Sequence, residues 1–460
     1  MRWSLVIGLV VLAVSAATSR AALPLAYGGS IRLAAASEVN HLDPTAIHDP
    51  FEASLAAAVF DTLYSLGPNA EPRPVLAADL PSREGDIVTI RMRTDVRRHR
   101  GLILDASMAA QSLRRAGAAK QAGWVLAGVA RRDGALDIEA VGSDTLRFGV
   151  TVPEIDLATR LAAAPLAITL GSRSRRDLDG TGSFSFASRP SDSELRSFRH
   201  SVSRAPFLER IVLQRPTARD ATLRAFELGQ IDGTWLGPSL YGGSPARPIA
   251  SARGLATAPV LLVPRNDLAQ ASWSPVVHAV DRRRLARVGL LPTDRIADVV
   301  PPTQLPQPPR RRTPMTLVLL LRAEDPFERR LGESLTAILD EQGVTLRTET
   351  LPESAYQSAL RQNRYDLRLA TVLPPLPGTR WLIGAVLAAC DRPDAAHAVA
   401  LATEDHVLEH AASVPGIVLG RRQTELFHRA DLVNARYDTL GRLRFADLSL
   451  LRPANQEGAP

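Results

Sequence analysis

Residues 205–233 read Ala-Pro-Phe-Leu-Glu-Arg-Ile-Val-Leu-Gln-Arg-Pro-Thr-Ala-Arg-Asp-Ala-Thr-Leu-Arg-Ala-Phe-Glu-Leu-Gly-Gln-Ile-Asp-Gly. Ile211, Val212 and Leu213 form a short β-rich apolar run between Arg210 and Gln214, the pattern of a buried strand. Asp220 is expected to cap a following helix, its carboxylate accepting from free N–H groups of the first turn. Leu223, Phe226 and Leu228 give that helix an apolar side, and Gly229 stops it where a left-handed residue is wanted. Ile231 opens a second strand that leads to Trp235. The whole is a strand–helix–strand unit delivering the chain to a sheet edge, where α/β proteins place ligands.

At 460 residues the chain is too long for one ordinary core. Hydrophobic residues make up 45% and charged residues 22%, the balance of a globular protein. The formal charge is +7, carried by arginine with Lys120 as the single lysine. The arginines are interspersed with acids and aromatics are only 5%, so the basic face with aromatics that nucleic acids require is missing.

The first residues have a different character. Arg2 is a short positive region, Leu5 to Val14 an apolar run, and Ser19-Arg20-Ala21 a small-x-small cleavage site. Residues 1–22 therefore read as a signal peptide, and the mature protein is expected in the periplasm. An uncleaved anchor is the alternative, but the run is short of the ~20 residues a span needs. Cys390, the single cysteine, can form no internal disulfide and lies too far from the signal to carry a lipid.

Further along, Gly28 to Ala34 reads as a strand closed by Ser37 to Pro44, in which Leu42-Asp43-Pro44 makes a turn because Pro44 fixes φ and disfavours a helical Asp43. Leu55, Val59, Phe60 and Leu63 recur at helical spacing over 52–64. Val88 to Arg93 and Asp144 to Phe148 alternate as half-buried strands. In Gly180-Thr181-Gly182-Ser183-Phe184, two glycines allow a tight backbone crossing. A phosphate cradle is excluded there by the lack of a Gly-Lys-Ser/Thr ending and a following helix. Residues 301–314 are too proline-rich for a packed element and read as an extended connector.

After it, Met315 to Leu321 is a buried strand. Asp325 caps, Pro326 takes the first helical position, and Phe327, Leu331, Leu335 and Ile338 form one stripe. Gly343 ends that helix, Val344-Thr345-Leu346 is the next strand, Glu353 to Leu360 a helix and Tyr365 to Leu369 a third strand. This order predicts a parallel sheet dressed with helices.

Taken in order, Leu42-Asp43-Pro44, Pro74-Val75-Leu76-Ala77, the Gly180–Phe184 run, residues 205–233 and the unit from Met315 to Leu369 resemble the family 5 extracellular solute-binding proteins. These are the periplasmic receptors of peptide, nickel and opine ABC importers. The likeness runs from about Gly28 to Leu448, though no single motif is specific. It departs at Arg98 and Arg100, which stand where the family has Phe and Asp.

The resemblance implies an α/β, two-lobed, periplasmic-binding-protein-like fold of the large three-segment type. Residues 27–48, 165–262 and 416–452 would form one lobe, 49–164 a subdomain inserted in it, and 263–415 the second lobe. It implies a monomer that takes a small or peptide-like solute in the interlobe cleft and passes it to ABC permease subunits, with no enzyme activity, cofactor or metal. Glu38, Asn40 and His41 would form one wall, with Thr181 and Trp235 nearby and Thr371, Val372 and Leu373 opposite. Peptide-binding relatives hold a peptide's amino terminus with a Trp and an Asp near 371–373. Here both are absent, so a free ammonium would lack its counter-charge unless Glu38 supplies it.

Two other readings stand beside this one. A receptor-like chain that has lost transport would serve as a sensor or scaffold. A zinc hydrolase is suggested by His406-Val407-Leu408-Glu409-His410, the H-x-x-E-H pattern. Against the latter, few residues follow it, and Glu425 and Glu457 are the sole later glutamates. No Gly-x-Ser-x-Gly elbow or dinucleotide fingerprint occurs, and Cys390 is expected to be a buried, inert thiol.

Overall fold

The computed structural model describes residues 25–451 apart from 38, 40–41, 171–177, 189–191, 216, 236–246, 292–314 and 413. The signal segment, the proline-rich connector and the candidates Glu38, Asn40 and His41 lie outside the described residues. The fold is α/β and two-lobed, built on two large mixed sheets.

The 205–233 stretch does organise the first sheet. Strand Arg210–Gln214 runs parallel to Ser30–Ala34, with Ile211 beside Ile31 and Leu213 beside Leu33. Helix Arg219–Glu227 carries the chain across, and Gly233–Thr234 pairs parallel on the other side of the same strand. Ser30–Ala34 is thus central in a seven-stranded sheet that also holds Phe184–Ser188, Asp192–Ser197, Glu425–Arg429 and Ile249–Arg253. Gly229 is left-handed at φ +71°, as its place after the helix requires.

Two details differ from the sequence reading. Asp220 is not the cap: Ala218 holds that position without a side-chain bond, and Asp220 lies in the first turn, where its charge meets the positive end of the dipole. The second strand starts at Gly233 rather than Ile231, because Asp232 is used otherwise. Its Oδ2 accepts the Arg32 backbone N–H at 2.7 Å, and Oδ1 pairs with Arg429 at 3.1 Å.

The helix expected over 52–64 spans Pro50–Val59, capped by Asp49. It stops at Val59 because the carbonyl there accepts from Gly182 N–H at 3.0 Å. A Cβ on Gly180 or Gly182 would lie 2.2 Å from the Val59 oxygen or 2.5 Å from that of Ala58. These glycines are the tight crossing the sequence implied. Beside it, Arg98 is buried and paired with Asp179 at 3.0 Å, so this departure from the family pattern is neutralised locally.

The second large sheet has the order Leu290–Leu291, Ile417–Arg422, Ala258–Pro264, Leu367–Thr371, Met315–Arg322, Val344–Leu351. It is mixed, not parallel. Met315–Arg322 runs parallel to both neighbours, but Ala258–Pro264 is antiparallel to Leu367–Thr371 and to Ile417–Arg422. Ala258–Pro264 enters from the first sheet and runs against both of its neighbours, a reversal that local patterning could not reveal. Helix Pro326–Asp340, with Asp325 as cap and Pro326 first, buries Phe327, Leu331 and Leu335 against it.

A four-stranded antiparallel sheet is inserted between Ser30–Ala34 and Phe184–Ser188 of the first sheet, ordered Ser82–Glu84, Ile87–Arg91, Thr145–Gly149, Ile138–Val141, with helix Ala106–Ala118 on it. Its apolar core is continuous with that of helices Thr379–Ala389, Pro393–Leu401 and Glu404–Ala411. Among the described residues, no helix is long and apolar enough to cross a membrane.

Candidate functional site: the interlobe cleft

The chain passes from the first large sheet to the second at residues 254–257 and returns at 423–424. The two passages are bonded side by side. Gly254 N–H donates to the Thr424 carbonyl at 2.9 Å, and the Gln423 amide to the Gly254 carbonyl at 2.7 Å. The turn at 438–443 holds both: Thr257 and Thr424 hydroxyls donate to the carbonyls of Leu440 and Gly441.

Facing these passages is a cleft of about 1340 Å³. It exceeds the roughly 300–1,000 Å³ of ordinary small-ligand sites. One wall is the end of strand Leu367–Thr371 and the loop that follows. Val372 N–H is tied to the Pro259 carbonyl at 2.8 Å, and Thr371, Val372 and Leu373 all line the cleft. The proline-rich run to Pro377 continues this wall.

Thr181 and Trp235 are behind the lining. Thr181 is wholly buried and its hydroxyl donates to Asp61 Oδ2 at 2.9 Å, while Asp61 itself lines the cleft. The exposed Ser203 hydroxyl donates to the other oxygen of Asp61. Burial pushes the Asp61 carboxyl above its ordinary value, opposed by those two hydroxyls. Trp235 packs edge-on to Phe51 and tilted against Phe445, a residue of the lining.

Lys120 and six of the cleft's arginines have acid partners within the protein. Asp391 takes Lys120 at 3.0 Å and Arg368 at 2.8 Å. Arg204 and Arg444 share Asp447, and Arg442 pairs with Asp438. Arg322 is held between Glu328 at 2.7 Å and Glu353 at 3.1 Å and lies over the Tyr356 ring. Arg422, last residue of its strand, pairs with Asp49 at 3.0 Å and Asp325 at 3.4 Å.

Sequence reasoning missed Asp49, Asp61 and Arg422. A signal for the first was present: Asp-Pro-Phe-Glu-x-x-Leu occurs twice, at 49–55 and 325–331. The H-x-x-E-H pattern falls on helix Glu404–Ala411, with His406 exposed and hydrogen-bonded to Thr403 at 2.7 Å. Among the described residues, no group of three or more His, Cys, Asp and Glu is arranged to hold a metal ion. Cys390 is buried, and burial pushes its thiol up to about 12, far from a reactive thiolate.

Comparison with solved structures places this architecture. The chain is similar to the binding protein AgaA in complex with agropinic acid from A. tumefaciens R10, at 13% identity and TM-score 0.70, covering 94% of this chain and 100% of that one. It is similar to Listeria monocytogenes OppA bound to peptide, at 12% identity and TM-score 0.73, covering 92% and 99%. It is also similar to DppA from Helicobacter pylori, an ABC transporter-associated periplasmic binding protein in complex with the peptide STSA, at 15% identity and TM-score 0.67, covering 93% and 99%. No family model matches the sequence, and no curated protein matches it. At these identities the likeness establishes the two-lobed fold.

Proposed function

We propose that this chain is a solute-binding receptor that takes a small or peptide-like solute in the interlobe cleft and delivers it to the permease of an ABC importer. The observation that carries the reading is the cleft itself: about 1340 Å³ between two α/β sheets joined by only two short passages. Such lobes rotate as rigid bodies because few backbone torsions need to change. A solute filling the cleft favours the closed state by its differential affinity. The three peptide- and opine-bound neighbours support the same role, as does their full-length alignment.

Thr371, Val372 and Leu373 form the solute-facing wall in this reading, and Thr181 and Trp235 act through Asp61, Phe51 and Phe445. The protein works as a periplasmic monomer after removal of residues 1–22, without enzyme activity. Native mass spectrometry of protein purified from its own periplasm tests the assignment. A co-purified solute that also raises the melting temperature is expected. At 100 times its dissociation constant it would stabilise by about 2.7 kcal/mol. A tightly bound solute that left the radius of gyration from small-angle scattering unchanged would instead favour the sensor or scaffold reading.

A further inference from the structure

The two Asp-Pro-Phe-Glu-x-x-Leu segments begin helices on different lobes. Helix Pro50–Val59 packs Phe51 and Leu55 into the core of the seven-stranded sheet. Helix Pro326–Asp340 packs Phe327 and Leu331 into that of the six-stranded sheet. Each Asp caps its own helix with Oδ1: Asp49 accepts from Phe51 N–H at 2.6 Å, and Asp325 from Phe327 N–H at 2.9 Å. Each directs its Oδ2 at the same guanidinium, that of Arg422.

Five charges of alternating sign result: a positive helix end, Asp49, Arg422, Asp325 and a second positive helix end. The side chains of Asp49, Arg422 and Asp325 are 3%, 13% and 5% exposed, so water screens the array little. Arg422 also lies over the Phe327 ring, 4.5 Å from its centroid, which fixes the plane of its fork. It is the last residue before the return passage at 423–424.

We infer that Arg422 is a positioning residue, a pin that joins the capped helix ends of the two lobes at the passage and sets the angle between them. Arg422 and Asp325 belong to the six-stranded lobe, so Asp49 is the single arm of the pin that crosses to the other. Without the guanidinium, two buried carboxylates would face each other and push the lobes apart. This inference rests on the two-lobed fold alone and needs no solute.

The charge and the cap can be separated, because Asn caps a helix as well as Asp does. Asp49→Asn keeps its helix start and cuts the crossing arm, and Asp325→Asn cuts an arm within one lobe. Small-angle scattering of the solute-free, full-length mature protein is the measurement. Asp49→Asn and Arg422→Met should shift to a larger radius of gyration, while Asp325→Asn stays at the wild-type value. If Arg422→Met fails to fold, Asp49→Asn carries the test alone. An unchanged radius for Asp49→Asn, or an equal rise for Asp325→Asn, would overturn the assignment and leave the triad a local packing feature.

Discussion

Trp124 and Trp381 meet with ring centroids 5.8 Å apart, joining the unit built on the four-stranded sheet to helix Thr379–Ala389. Gly384 makes the approach possible, since a Cβ there would lie 2.4 Å from the Trp124 ring. Trp124 also lines the cleft, so this part of its border is apolar where the Arg422 contact is ionic.

Substituting Gly384→Ala tests how tightly that contact is packed. A rigid indole cannot swing away as a flexible chain would, so the methyl group overpacks the junction. The expected loss is ~1–3 kcal/mol, read by denaturant unfolding. An unchanged midpoint would show that the junction of the two units yields without cost at this point.

Arg160 ties the same junction with polar groups. It is 1% exposed, pairs with Asp156 at 2.9 Å, and donates to the carbonyls of Val125 at 3.2 Å and Ala400 at 2.7 Å. Arg160→Met should lower stability by ~1–3 kcal/mol, because the freed carbonyls remain buried. Arg160→Lys should rescue little, since one ammonium cannot reproduce the fork. Full rescue by lysine in thermal unfolding would mean charge alone matters.

Asp61 yields a pH prediction with a definite sign. Its folded pKa is raised by burial above the unfolded 3.8, so the folded protein holds the proton more tightly. Its stability contribution is therefore greatest below 3.8 and declines as pH rises toward the raised folded value. Asp61→Asn, which removes the ionisation, should gain on the wild type at pH 8 and lose that gain near pH 4. Paired unfolding curves at the two pH values would reveal a parallel offset instead if Asp61 were ionised without penalty.

For the H-x-x-E-H segment, His406→Ala is expected to leave the zinc content of purified protein unchanged, because His406 is exposed and already bonded to Thr403. Stoichiometric zinc lost in the variant, measured by atomic absorption, would revive the hydrolase reading.

What the sequence made legible follows physical range. The strand at Ile211–Leu213, the Asp325-Pro326 helix start and the Gly180–Gly182 crossing rest on interactions within a few residues or on glycine alone. The end of the Pro50–Val59 helix was not legible, because Gly182, far along the chain, takes the carbonyl of Val59. Nor could Asp220 be rejected as a cap without seeing that Ala218 holds the cap position. In the cleft, Thr371 to Leu373 were readable, through the resemblance, as the stretch that follows the Tyr365–Leu369 strand. Asp61 and Arg422 matter only through partners on other elements, which local patterning does not record.

The place of Ser30–Ala34 has a consequence for how the molecule assembles. The first strand of the large sheet to leave the ribosome is the one at its centre, and it waits for neighbours supplied much later. Arg32 meets Asp232 across 200 residues of chain, and the sheet is finished only by Glu425–Arg429. Loop closure on that scale must precede any reward from pairing, so this lobe acquires its structure late and as a unit. A nascent chain shorter than about 430 residues leaves the edge of Gly233–Thr234 unpaired inside this sheet. Holding that edge apart from other chains is a task the sequence sets for whatever escorts it.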